Sequence, residues 1–384
     1  MKSPVCCPCP ADALPALCPG RRADRAKSQG GVALITVLLI VFLASIAATS
    51  LATLQQLAIR RSTVLQHQQQ ARLYTLGAEQ WAMIILARDR QQNEIDHPGE
   101  EWANLPPTLP VESGTLTARL TDLQGCFNLN NLWRPAAGER SPSPDEPPED
   151  KDQEEPQDPA DAEADAKAKP TPAQPKPPKS DESSNKAGVE PAQIKVLQRL
   201  LETLELKPGL AQAIADWIDP DADPQFPDGA EDSDYTVLNP AYLAANRPFL
   251  SVSELRLAKG MDRETYHKLA PVVCALPPGM PLNVNTALAP VLAALGEEEL
   301  KPADLESLLK NRPAEGYKNV DDFLNAAKLT TVEAPVKALL STDSQYFLLR
   351  AEARVGDGRA MLYSMFYRDE NGVRVLRRRF GNQD

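Results

Sequence analysis

Gly30-Gly31-Val32-Ala33-Leu34-Ile35-Thr36-Val37-Leu38-Leu39-Ile40-Val41-Phe42-Leu43-Ala44 opens an uncharged run that lasts until Arg60. Between Val32 and Ala52 only Thr36, Ser45, Thr49 and Ser50 interrupt the apolar residues. That is about the ~20 residues a helix needs to cross a bilayer. Arg21, Arg22, Arg25 and Lys27 precede it, and positive charge ahead of an apolar span keeps that end in the cytoplasm. A secretory signal has its small residues after a short apolar region. Here Gly30 and Gly31 stand before it, so a cut between Gly31 and Val32 leaves the span on the mature chain. The helical pattern continues past the membrane. From Leu51 to Arg88 there is no Pro and one Gly, Gly77. Leu54, Leu57, Leu65, Leu76, Trp81 and Ile85 recur at helical spacing. One helix from Val32 to Arg88 would be on the order of 85 Å long. A plain anchor and stalk is the alternative reading.

The segment Gly31 to Leu39 resembles the prepilin-peptidase site of type IV pilins and of the pseudopilins of type II secretion. Most such chains carry Glu as the fifth residue after the cut, and this one has Thr36. The K family of minor pseudopilins (GspK) is known for lacking that Glu. Gly125-Cys126-Phe127-Asn128-Leu129-Asn130-Asn131-Leu132, Asp216-Trp217-Ile218-Asp219, Gly229-Ala230-Glu231-Asp232, Ser253-Glu254-Leu255 and Leu282-Asn283-Val284-Asn285-Thr286-Ala287 are similar to signatures of that family, in its order. A long leader and a long acidic insert after Leu132 depart from it. The resemblance implies a non-enzymatic fibre subunit in the inner membrane, single-pass, with its C-terminal domain periplasmic. It implies a tip position, minor pseudopilins I and J as partners, and H and the major pseudopilin G as further neighbours. In pilin-like fibres the buried Glu neutralises the N-terminal amine of the next subunit, and a buried carboxylate is tolerated in the membrane only when paired. A tip subunit has no such neighbour and can dispense with it.

The chain has 384 residues and a net charge of −12. Residues 139–190 supply about −8 of that charge, so the rest is only mildly acidic. Pro, Asp, Glu, Ala and Lys dominate residues 135–190, too little apolar surface to offset chain entropy, which predicts a disordered linker. Cys6, Cys7, Cys9 and Cys18 fall in the leader, which processing or a different start would remove. Cys126 and Cys274 remain, an even pair that suits a periplasmic disulfide; two separate buried thiols are the alternative.

Leu116 to Leu123 alternates like a strand. Ile194, Leu197, Leu200, Leu201 and Leu204 form a helical stripe, Leu210 to Ile218 predicts a second helix, and Ser253 to Leu257 begins a third. Tyr346 to Val355, Gly356-Asp357-Gly358 and Ala360 to Tyr367 predict a hairpin, with a last strand near Val373 to Leu376. The class is α+β: a long N-terminal transmembrane and stalk helix packed on a small antiparallel β-sheet, with an inserted all-helical domain. The divisions read as leader 1–31, helix 32–92, first α+β part 93–134, linker 135–190, helical insert 191–276, second helical unit 277–341 and C-terminal strands 342–384.

Asp219, Asp221 and Asp223, followed by Glu231, Asp232 and Asp234, are hard oxygen donors at a density that suits Ca²⁺. Pro224 and Pro227 rule out an EF-hand loop. A solvated acidic loop is the alternative. Members of the resembled family bind calcium, which implies one or two ions here. Leu282 to Ala287, Val291 to Leu295 and Gly316 to Phe323 resemble a helix-hairpin-helix unit, and echo Phe127 to Leu132 and Phe249 to Leu255 as a repeat. The competing reading is a pilin-anchored DNA-uptake protein. Phosphate-facing hairpins need glycines and nearby basic residues; this stretch has no Gly-x-Gly and carries Glu297, Glu298 and Glu299. No nucleic-acid partner is expected. His67, His97 and His267 are far apart, and no nucleophile or phosphate-loop motif accompanies them, so no catalytic residue is expected.

Overall fold

The computed structural model describes residues 30–134, 188–297, 302–329 and 331–381. The leader and residues 135–187 of the expected linker lie outside them. Residues up to Thr63 and residues from Val64 onward form two compact units. Helix α1 (Gly30–Gln92) begins two residues before the expected Val32. Up to Leu65 its large apolar side chains are exposed, Ile35 by 68% and Phe42 by 61%.

From Ala71 on, α1 buries a stripe of small residues, Ala71, Ala78 and Ala82, followed by Ile85 and Leu86. Small side chains let the helix lie close to the sheet. That sheet joins β1 (Leu109–Val111), β2 (Gly114–Asp122), β9 (Tyr346–Val355), β10 (Gly358–Asp369) and β11 (Gly372–Phe380), all antiparallel, in the order β1-β2-β9-β10-β11. Period-two alternation puts Leu116, Ala118, Leu120, Leu349, Ala351, Ala353, Leu362 and Phe366 into the shared core. The hairpin forms at Gly356 and Gly358 as the sequence predicts. A Cβ on Gly358 would stand 2.4 Å from the His67 carbonyl carbon, so the turn can touch α1 only with glycine there. Strand β1 was not legible, and β11 is longer than the Val373 to Leu376 prediction.

The helical region corrects several expectations. Helices α2 (Pro191–Thr203) and α3 (Leu210–Asp216) form, α3 two residues shorter than expected. Ser253 to Leu257 is a 3₁₀ turn, Val252–Leu257, not a helix start. Helices α4 (Asp232–Tyr235) and α5 (Arg263–Leu269) follow, with four more short helices between Ala289 and Lys337. The region is not all-helical. Short strand pairs bind it together: β3 (Phe127–Asn128) with β6 (Val273–Cys274), β4 (Trp133–Arg134) with β5 (Gly188–Val189), and β7 (Leu282–Asn283) with β8 (Leu340–Ser341). Phe127, Leu129 and Leu132 share one core with Leu197, Leu200, Ile214, Val284, Val291 and Phe323. The segments 127–134, 191–276 and 277–341 therefore pack as one body.

Buried asparagines explain the motifs and the repeat. Asn130 accepts from the Phe249 amide at 2.7 Å and donates to its carbonyl at 3.0 Å. Asn285 treats Tyr317 identically, at 2.7 and 3.1 Å. In each case the aromatic precedes a capped turn, started by Ser251 or Asn319. Asn128 and Asn131 also hold the returning chain, bonding Leu276, Pro277, Gly279 and Met280. A buried amide with its backbone partners in place fixes the chain path at little net cost. Cys126 and Cys274 lie beside this clamp, with Cα atoms 5.8 Å apart and the sulfurs bonded.

Arg368 is the second fixed point. It is buried against Asp89 at 2.8 Å, Asp96, and the Ser344 carbonyl at 2.8 Å, and lies 4.7 Å over the Phe347 ring. Removing one partner of a buried pair strands the others. Arg368→Ala is expected to cost about 3–5 kcal/mol in chemical denaturation, and Arg368→Lys less than that, because ammonium keeps the charge but cannot span all three acceptors. For the cysteines, mass spectrometry of non-reduced peptides is expected to show the 126–274 link. Its reduction should lower stability by roughly 3–5 kcal/mol; two freely alkylated thiols would overturn this.

Candidate metal centre

Helix α3 ends in Asp216, and Asp219 follows three residues on, so the two carboxylates share one side of the terminal turn. Trp217 and Ile218 between them are buried in the core. The chain then loops out and returns through Gly229. A Cβ there would stand 2.2 Å from Asp216 Oδ2, so only glycine lets the backbone cross the carboxylate. That crossing brings Glu231, which precedes α4, up to the pair. Tyr235 packs edge-on to Trp217 at 5.2 Å and stacks on Tyr242 at 5.4 Å, fixing α4 from behind.

One carboxylate oxygen from each of Asp216, Asp219 and Glu231 lies within 4.8 Å of the others, all three residues buried. Asp216 accepts from the amides of Gln225 and Ala230, the latter at 2.7 Å. Both oxygens of Asp219 and both of Glu231 have no hydrogen-bond partner. An unpartnered buried carboxylate is costly and ordinarily protonates. Burial, then the neighbouring acids, raises Asp219 and Glu231 to about 7. Burial raises Asp216 to about 6, its backbone donors opposing. Each folded pKa exceeds its unfolded value, so the metal-free fold holds extra protons. It therefore loses stability as pH rises from about 4 to about 7.

Of the six expected ligands, the structure brings together Asp219 and Glu231 alone. Asp221 and Asp223 are exposed, and Asp221 spends an oxygen on the Asp223 amide at 2.9 Å. Asp232 accepts from the Ala244 amide at 2.8 Å. Asp234 pairs with Lys259 at 2.7 Å, and its pKa is lowered, chiefly by the Lys259 hydrogen bond. Alternating spacing pointed to these four, but Asp221 and Asp223 fall in the exposed stretch after Pro220, and Asp232 and Asp234 lie in α4 with partners of their own. Asp216 was missed because it reads as the end of a helix; the close glycine is the signal that could have found it.

A second buried trio, Asp89, Asp96 and Glu100, has a different chemistry. Arg368 answers Asp89 and Asp96. The Trp102 indole at 2.7 Å, the Asn93 amide at 3.0 Å and the His97 backbone at 3.1 Å answer Glu100. Its carboxylates already accept from these groups, so it is an ion-pair knot. The first trio is the one whose oxygens fit a hard cation.

The family described as type II secretion system protein K matches residues 125–278 and 282–343. The chain is similar to type II secretion system protein K of Pseudomonas aeruginosa, 36% identical over 368 residues, covering 92% of this chain and 94% of the relative. It is also similar to that of Aeromonas hydrophila, 33% identical, covering 92% and 97%. One chain in the crystal structure of the GspK-GspI-GspJ complex from enterotoxigenic Escherichia coli superposes with a TM-score of 0.62 at 28% identity, covering 84% of this chain and all of that one. With an apolar N-terminal helix, this sheet and helical body, and relatives matching over nine-tenths of its length, the chain belongs to the type II secretion system protein K family of structural pseudopilins, which are not enzymes.

Proposed function

We propose that the chain sits at the tip of the type II secretion pseudopilus, in a complex with minor pseudopilins I and J, and starts or caps the fibre that supports export across the outer membrane. The observation that carries this reading is Thr36. Its hydroxyl donates to the Ala33 carbonyl of its own helix at 2.9 Å. The position that holds a charge in most fibre subunits is therefore neutral and satisfied from within. The exposed apolar surface of α1 from Val32 to Ile46 supports a single-pass anchor in the inner membrane, N-terminus cytoplasmic, cut by prepilin peptidase between Gly31 and Val32. The I and J partners are suggested by the related complex. The DNA-uptake alternative has no support: the relatives are protein K, and Asn285 and Gly316 serve the asparagine clamp around Tyr317.

Asp216, Asp219 and Glu231 would hold one Ca²⁺. Bound there, calcium would supply charge neutralisation, with Asp216 and Asp219 at the end of α3 and Glu231 just before α4 as the residues that would hold it. These acids hold the loop to Glu231 in place, and Gly229 gives them room. Binding to the folded state alone adds stability of about 2.7 kcal/mol at a hundredfold excess over Kd.

Calorimetry on the full chain in detergent is expected to show Ca²⁺ binding with proton release, and chelation is expected to lower its melting temperature. Asp219→Asn with Glu231→Gln should abolish both responses, whereas Asp221→Ala should leave them nearly intact. No binding at millimolar Ca²⁺ would overturn the metal reading and leave the tip reading standing. For that reading, co-expression with I and J should yield a ternary complex whose K subunit begins at Val32 by N-terminal sequencing. A mature terminus beyond Ala52, or a K subunit that never co-purifies, would sink it.

A further inference from the structure

The outer face of the sheet carries a basic row that strand register creates. Arg119 on β2 stands opposite Arg350 on β9, Arg350 opposite Tyr363 on β10, and Tyr363 opposite Arg379 on β11. In the next row Thr121, Leu348, Met365 and Arg377 line up. Like charges directly opposite on neighbouring strands destabilise a sheet. Elsewhere on the same face the problem is solved: Glu352 pairs with both Arg354 and Arg359, at 2.7 and 2.9 Å. Arg119, Arg350 and Arg377 make no ion pair with any described acid.

This face is one wall of a cleft of about 1440 Å³. Arg256 and Arg263 come from the helical wall, Arg256 lying 5.5 Å over the Tyr266 ring. Two acids line the cleft, and both are engaged. Asp122 is buried and accepts from Ser344, Thr286, Asn283 and Gln124. Asp262 caps α5 through the Thr265 amide at 2.8 Å. In a chain of net charge −12, Arg119 and Arg377 thus line the cleft with no described acid paired to them, and Arg350 stands beside Arg119 in the same row.

The counter-charge is in the same polypeptide. Residues 139–165 hold twelve Asp and Glu against Arg140 and Lys151. Strands β4 and β5 pair Arg134 with Gly188, so residues 135–187 leave and return at one point. Asp152 lies roughly 18 residues from that point, up to ~60 Å of extended chain. A folded unit of this size is about 50 Å across, so the chain length allows the middle of the acidic stretch to reach the cleft. Tethering also raises the local concentration of the acids at that surface. We propose that the acidic stretch 139–165 docks in the cleft and neutralises the arginine rows of the sheet.

The test uses the full chain in detergent and a fluorescein-labelled peptide of residues 139–165, read by fluorescence anisotropy. One variant has the twelve acids changed to Asn and Gln, which frees the cleft. That variant is expected to bind the peptide at least about tenfold more tightly than the native chain, whose own insert competes. Binding should weaken steeply in about 0.5 M NaCl. Adding Arg119→Gln, Arg350→Gln and Arg377→Gln should cost about tenfold or more in affinity; these side chains are exposed, and an unchanged melting temperature confirms folding. Arg354→Gln with Arg359→Gln should leave affinity nearly unchanged. Equal binding by native and neutralised chains, or no effect of the triple substitution, would overturn the proposal.

Discussion

Arg368 ties the end of the stalk helix, the loop beyond it and the approach to β9 at one buried point. Its guanidinium reaches Asp89 near the end of α1, Asp96 in the loop beyond, and Ser344 just before β9. From there the network runs on: the Ser344 amide donates to Asp96 at 2.7 Å, and the Ser344 hydroxyl donates to Asp122 at 2.6 Å. Asn283, at the head of the second helical segment, donates to Ser344, Asp122 and the Asp96 carbonyl. The joint between sheet and helical body thus adds a polar, directional network to the apolar contacts of Cys274 and Leu276 with Tyr346. Apolar packing tolerates sliding, whereas a buried charged network is stable only when every member is met. That constraint fixes how the two layers sit against each other.

The helical body uses the same logic in neutral form. Asn130 and Asn285 each grip the backbone of one aromatic residue on both sides, and each grip leads into a capped turn. The two half-units bury a common core, so neither is a separate domain. The echo between Phe127–Leu132 and Leu282–Ala287 is a structural repeat, and its purpose is chain placement.

Two buried acid trios show why acid count alone identifies nothing. Asp89, Asp96 and Glu100 are surrounded by donors from Arg368, Asn93, His97 and Trp102, although burial still pushes Asp96 up to about 7. Asp219 and Glu231 have four oxygens with nothing to accept from. The difference lies in what the surrounding backbone supplies, and it separates an internal ion pair from a place for a cation. The basic rows on the outer sheet face pose the opposite problem: cations whose answering charge is far away in sequence.

Periodicity and spacing are local, and what rests on them was legible. The apolar run from Val32 to Ala52, the stalk helix, the hairpin at Gly356 to Gly358 and the stripe on α2 follow from side-chain pattern within a few turns or strands. The glycine before the span and Thr36 within it carried the family resemblance for the same reason. Tertiary structure alone decided the rest. Glu231 joins Asp216 and Asp219 because the returning chain crosses the Asp216 carboxylate at Gly229. Arg119 meets Arg350 because β2 and β9 pair in one register. Arg368, which reads as one more charge at a strand end, is buried at 2% exposure because three acceptors converge there. Such placements depend on contacts between distant segments, and no single stretch of sequence contains both sides of them.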